Sequence, residues 1–227
     1  MTGERWQLLS AGLIAAILLG VLHHMAPGST ARFFGGLHPL PVVLAVTGAG
    51  LLGLRLLRAP GAWPLAGSRP RPAIQARIAL ACALPFCIAV TLADLAFRFP
   101  PGISLTGWAA AAFYPAMAVV AVICFHVLPA ALIAGLRRAL AHRAGQPMPW
   151  LPAALAAALV EPLFQISHAG GFSAISVFTF LHVFAFNLLA LHLLRVWGFL
   201  PSLLMRLGYY AWWHLIWGAL RLDLLFA

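Results

Sequence analysis

Long apolar runs, separated by short stretches containing arginine, proline and glycine, recur from one end of the chain to the other. Seven runs approach the ~20 residues a helix needs to cross a bilayer. They cover approximately 6–25, 38–57, 74–97, 104–136, 150–170, 172–195 and 203–225. The pattern predicts an all-α polytopic transmembrane helix bundle of about seven spans, forming a single membrane domain over residues 1–227. The fourth run is too long for one straight crossing. Pro115 and Pro129 predict a kink there, or a division into a crossing and a surface helix that would raise the count to eight. The first run ends in His23-His24-Met25-Ala26-Pro27, with no small-x-small cleavage pattern, and so reads as a span rather than a signal peptide.

Composition sharpens this picture. Hydrophobic residues make up 63% of the 227 residues, charged ones 8%, and the mean hydropathy is +0.99. Soluble domains carry roughly 45–50% apolar and about 25% charged residues. Cys82, Cys87 and Cys124 all fall inside apolar runs and read as small buried side chains rather than disulfide or metal partners.

All 14 basic side chains are arginine, and their placement predicts an orientation. With seven alternating spans, Arg5, Arg55, Arg58, Arg69, Arg71, Arg77, Arg137, Arg138, Arg143, Arg195 and Arg206 fall on one side, and Arg32, Arg98 and Arg221 on the other. Eleven against three places the N-terminus in the cytoplasm and the C-terminus outside, in the plasma (inner) membrane. The formal charge of +10 then implies contact with anionic lipid headgroups. Nucleic acid is excluded as a partner, because the arginines are divided among short loops and no basic domain presents a surface. Phe33-Phe34, Trp63, Trp108 and Trp150 lie near span ends, where aromatic rings favour the interface.

Ionisable residues inside spans are costly and point to function. Counted from the cytoplasmic end of its span, Glu161 lies eleven residues above Trp150, His126 eleven above Arg137, His182 thirteen above Arg195 and His214 eight above Arg206. At ~1.5 Å per residue these depths agree within about 8 Å. His168 lies about 10 Å further out, seven residues beyond Glu161. Imidazoles and a carboxylate at one depth have the chemistry of a zinc-type site, with His126, His182 and His214 as metal ligands and Glu161 as general base. The plainer readings are histidines bonding carbonyls across helices, and a protonated Glu161 bonded to backbone loosened by Pro162. Elsewhere, Asp94 and Arg98 at i,i+4 predict an ion pair. His23, His24 and His38 flank an outer loop where they could bind a surface metal, and His142 lies among loop arginines with no assigned role.

The C-terminal half carries a further pattern. Phe164-x-x-x-His168 is followed by the break Ala169-Gly170-Gly171, a long apolar span ending "LHLLRVWGFL", and "YYAWWHLIWG" with His214. Over roughly residues 120–220 this ordering resembles the CPBP membrane proteins, the intramembrane CAAX-protease and bacteriocin-processing group. The resemblance implies a CPBP-like core over 104–225 behind three peripheral spans in 1–100. It also implies an intramembrane metallo- or glutamic endopeptidase site in which His168 and His214 hold the catalytic centre, with Glu161 as the candidate catalytic carboxylate beside them. A membrane-anchored peptide or partner protein would be its ligand. The sequence departs from the family pattern. Pro129 and Ala130 stand where the glutamate pair of Glu-Glu-x-x-x-Arg is expected, Ala134 where its arginine is, and Gly218 where the last motif has Asn. Either Glu161, within "VEPLFQ", supplies a relocated carboxylate, or catalysis is lost and the chain acts as a scaffold or accessory subunit. "GGFSA" at 170–174 with His214-x-x-x-Gly218 also resembles the rhomboid serine proteases, without their second glycine or oxyanion helix. A last alternative is haem held between His126 and His182.

Overall fold

The computed structural model describes residues 2–59, 71–140, 149–167 and 173–227. Among these residues the chain is helical throughout, with no strand. The helices are α1 (Thr2–Met25), α2 (Pro27–Phe34), α3 (Pro39–Leu57), α4 (Pro72–Phe97), α5 (Gly107–Val122), α6 (Leu128–Leu140), α7 (Trp150–Ala158), α8 (Val160–Ser167), α9 (Ala174–Trp197), α10 (Phe199–Tyr210) and α11 (Trp217–Phe226). Trp63, His142 and His168, and the glycine break that follows His168, lie outside the described residues.

Six helical segments are long and apolar enough to cross a membrane: Gly3–Met25, Pro39–Leu57, Pro72–Phe97, Gly107–Leu140, Trp150–Ser167 and Ala174–Trp197. Their outward faces are those of a membrane protein. On α4, Leu84, Ile88 and Leu92 fall on one stripe and are 59–60% exposed, which only an apolar surrounding accommodates at this length. The seventh expected span is helical from Phe199 to Phe226 but falls outside the six. Arg206, His214, Arg221 and Asp223, with the Tyr and Trp pairs between them, reduce its hydropathy.

Two of the interruptions follow prolines, while Pro85 and Pro115 lie inside the continuous helices α4 and α5. Proline has no N–H, and its ring crowds the carbonyl four residues earlier. Pro129 would crowd the carbonyl of Phe125, and the helix widens there into a π-turn over Ile123–Val127 before continuing as α6. Pro162 leaves the carbonyl of Ala158 without its helical donor, and the long segment divides at that point into α7 and α8. A second π-turn, Ala211–Ile216, joins α10 to α11.

The core lies between α1, α3, α5 and the helices that follow, with Leu8, Leu19, Leu22, Phe113, Val122, Ile123, Leu191 and Phe199 fully or almost fully buried. α1 packs on α3 and α5, and α4 packs on α9 and α10. Gly12 permits the first contact, since a side chain there would overlap Thr47 on α3. Gly198, at φ 97, makes the reversal from α9 into α10, a backbone conformation L side chains rarely adopt. The Glu4 carboxylate packs against this turn and pairs with Arg58, tying the start of α1 to the end of α3.

The Asp94–Arg98 pair does not form. Arg98 caps α4 in the left-handed conformation (φ 53), its N–H donating to the Asp94 carbonyl at 2.8 Å, and its side chain is exposed. Asp94 instead turns inward to Arg221 of α11. Arg221 Nε donates to Oδ2 at 2.6 Å and Nη2 to Oδ1 at 2.8 Å. The Trp217 indole (2.8 Å) and the Phe99 N–H (2.8 Å) complete the carboxylate's shell. Arg221 also donates to the carbonyls of Phe99 and Pro100. Arg221 is thus a buried strut, not a loop charge.

Candidate functional site

Glu161 opens α8 just past the break that Pro162 creates, and its side chain is buried. Its partner is Arg206, about two turns into α10 and only 2% exposed. Arg206 Nη1 donates to Oε1 at 2.8 Å and Nη2 to Oε2 at 2.6 Å, a two-pronged pair in which charge, planarity and direction all match. Gln165, one turn on along α8, donates to Oε1 at 3.4 Å.

The pair extends into a network drawn from four further side chains, those of Asn187, His126, Ser202 and Tyr210. Asn187 of α9 donates through Nδ2 to the Ala158 carbonyl at 3.3 Å, the carbonyl that Pro162 leaves without a donor. A carbonyl can only accept, so the Asn187 amide is oriented with Oδ1 toward Arg206 Nη2 (2.9 Å) and His126 Nε2 (3.0 Å). The hydrogen bonds close when neutral His126 carries its proton on Nε2 and donates it to Asn187 Oδ1. Nδ1 of His126 then accepts from Ser202 Oγ at 3.4 Å. The two Nη2 hydrogens go to Glu161 and Asn187, and the second Nη1 hydrogen to the Tyr210 hydroxyl at 3.2 Å. Only Arg206 Nε–H has no partner among the described residues.

Beside this network lies a cavity of about 230 Å³. Glu161 and Gln165 form its wall on α8, Phe178, Thr179, His182 and Phe186 on α9, and Arg206, Tyr209 and Tyr210 on α10. His214 and Trp213 of the second π-turn close one end, with Phe99, Val90 and Ile103. His182 Nε2 bonds the Tyr209 hydroxyl at 3.1 Å between the rings of Phe86 and Phe178. His214 is stacked flat on Tyr114, 3.9 Å between ring centroids, and its Nδ1 bonds Ser104 Oγ at 2.9 Å. Its Nε2 has no hydrogen-bond partner among the described residues. Both π-turns therefore carry a histidine, consistent with the frequent occurrence of such turns at functional sites.

The expected metal triad is not assembled. His126 sits in the arginine network and off the cavity wall, His182 bonds Tyr209, and His214 bonds Ser104. Among the described residues no group of three or more His, Cys, Asp or Glu side chains could hold a metal ion. The guanidinium beside both Glu161 and His126 supplies the positive charge a cation would otherwise bring. The donor set does not fit zinc. Nor do His126 and His182 line one cavity, as a pair of haem ligands would: His182 is in the cavity wall and His126 is not.

Of the expected catalytic residues, Glu161 and His214 line one cavity, and His168 lies outside the described residues. Sequence reasoning missed Arg206, Asn187, Ser202, Tyr210 and Gln165. A signal for Arg206 existed: a buried carboxylate needs a cation, and Arg206 and Arg221 are the two arginines that fall within the bounds of the last apolar run, each near one of its ends. No family model, curated protein or solved structure matches this chain.

Proposed function

We propose that the chain is a CPBP-like intramembrane protein, related to the peptidases of that group. Its cavity receives a membrane-anchored peptide or a partner's helix without cleaving it. The observation that carries this reading is the two-pronged hold of Arg206 on Glu161 at the wall of the cavity. A carboxylate with both oxygens bound by a guanidinium is a weak base, so the one acid at the site is committed to structure.

The family motifs support the lineage in a register shifted from the first reading. Phe178-x-x-x-His182 repeats the Phe-x-x-x-His pattern, and both side chains line the cavity with His214. Val160-Glu161-x-x-x-Gln165 lies in the Glu-Glu-x-x-x-Arg frame with its first glutamate and its arginine replaced. The resemblance assigns water activation to that glutamate motif, and its incompleteness here accords with binding rather than turnover. For orientation, setting aside the buried Arg206 and Arg221 leaves ten arginines on one side and two on the other. The N-terminus is therefore cytoplasmic.

A second reading, hydrolysis with water positioned by His182 and His214, is favoured by the unpartnered Nε2 of His214 at the cavity. One experiment separates the two. A photo-crosslinking residue is placed at Thr179 in the full-length protein in its native membrane, and the purified protein in nanodiscs is assayed with membrane-anchored peptides. The binding reading expects a discrete crosslinked partner, lost when Phe178→Trp narrows the cavity, and no peptide turnover. Turnover abolished by His214→Ala in folded protein selects the second reading, and absence of any cavity-dependent crosslink or turnover removes both.

A further inference from the structure

A second recess lies between the start of α1 and the end of α3, with a volume of about 680 Å³. The two helices run antiparallel, so Arg5 and Arg55 meet at one end of it. Both side chains are exposed, and neither has a hydrogen-bond or ion-pair partner among the described residues. The neighbouring acid, Glu4, does not neutralise them, because its carboxylate is buried against Arg58. Three of the four acids in the chain are each bound by one arginine in this way, and Asp223 sits at the other end of the sequence.

Below the two guanidiniums the recess becomes apolar. Leu9 continues it along α1, and Leu51, Leu52 and Gly48 along α3. At ~1.5 Å per residue Gly48 lies about 10 Å beneath Arg55, and its missing side chain leaves the floor open. No atom lies within 4 Å of the position a Cβ would take there. Trp6, 64% exposed, stands at the charged end, the level at which indole rings prefer the membrane interface.

We infer that this recess is a binding site for one anionic phospholipid of the arginine-rich leaflet. The phosphodiester is held between Arg5 and Arg55, and one acyl chain descends over Gly48 between Leu9 and Leu52. Guanidinium matches phosphate geometry, and a site whose cationic end lies at the interface and whose apolar end lies deeper matches the amphiphile's own order. The site shares no residue with the cavity around Glu161 and stands whether or not that cavity binds a peptide.

The test is native mass spectrometry of the delipidated full chain, titrated with phosphatidylglycerol, with phosphatidylcholine of the same acyl chains, and with inorganic phosphate. Phosphatidylglycerol is expected to bind as a single tight equivalent, at least about tenfold tighter than phosphatidylcholine, and inorganic phosphate to leave it bound. Arg5→Gln with Arg55→Gln should weaken it about thirtyfold, since each interfacial arginine contributes roughly fivefold. Arg71→Gln with Arg77→Gln, which removes equal charge from the exposed start of α4, should leave it within about twofold. Gly48→Leu should weaken it by filling the floor, with an unchanged melting temperature in lipid-free detergent. Equal binding of the two lipids overturns the assignment. So does an equal loss in the α4 control, displacement by inorganic phosphate, or a shift to dimer when Arg5 and Arg55 are intact.

Discussion

Arg206 and Glu161, forty-five residues apart, meet inside the bundle through two parallel hydrogen bonds of 2.8 and 2.6 Å. Removing either partner strands the other's charge away from water, which costs about 3–5 kcal/mol. Glu161→Leu and Arg206→Met should each lower unfolding stability by that amount. The double variant should recover most of the loss, because an apolar pair of similar volume replaces both charges at once. Reversible unfolding in mixed micelles checks this, and losses that simply add would show that the two residues do not act as a pair.

Asn187 and Pro162 form a second coupled relationship. Asn187→Leu removes the donor to the Ala158 carbonyl and the acceptor for His126, leaving buried polar groups unmet at a cost of about 1–3 kcal/mol. Pro162→Ala restores a helical N–H for that carbonyl. Introduced into Asn187→Leu, it is expected to return part of the lost stability, and a double-mutant cycle measures the coupling.

At the C-terminal end of α4, the two arginines Arg98 and Arg221 differ sharply. Arg221→Met leaves Asp94 buried beside two remaining donors and should cost about 3–5 kcal/mol. Arg98→Ala removes an exposed side chain; the cap retains its N–H bond, and the effect should stay within about 1 kcal/mol. The same unfolding measurement on both variants ranks them.

Two glycines on the contacting helices α1 and α3 make a matched pair. Gly12→Val drives a side chain into Thr47 and should destabilise by about 1–3 kcal/mol. Gly48→Ala meets open space and should be neutral or stabilising by up to about 1 kcal/mol, since alanine loses less freedom in a helix. Thermal unfolding of the two variants distinguishes close approach from mere helix propensity.

How much of this was legible in the sequence follows from the physics of each feature. The apolar runs predict seven crossings, and six of them appear as helices long and apolar enough to cross, with ends near those expected, such as 172–195 against Ala174–Trp197. Bilayer thickness fixes span length independently of partners. Pro129 and Pro162 mark two of the interruptions, because the missing N–H is a local property, whereas Pro115, also expected to kink its span, lies inside the continuous α5. Depth counting could also single out Glu161, His182 and His214. What it could not supply is azimuth. His126 lies at the same depth but turns to Asn187 rather than to the other imidazoles, and nothing in linear spacing encodes that rotation. Arg206 was hidden for a related reason: an arginine near a span end looks like a loop charge until its helix is seen to begin at Phe199.

The π-turn at Ala211–Ile216 has one last consequence. Such a turn carries a spare residue relative to α-helix, so α11 keeps the phase it would have in a chain one residue shorter. Were the stretch to tighten without losing that residue, everything beyond it would swing by about 100° and Arg221 would leave Asp94. Deleting one residue there would instead spare the Asp94 clasp while unseating the imidazole of His214. The wall of the cavity and the anchoring of the last helix can thus vary independently, through a length change of a single amino acid.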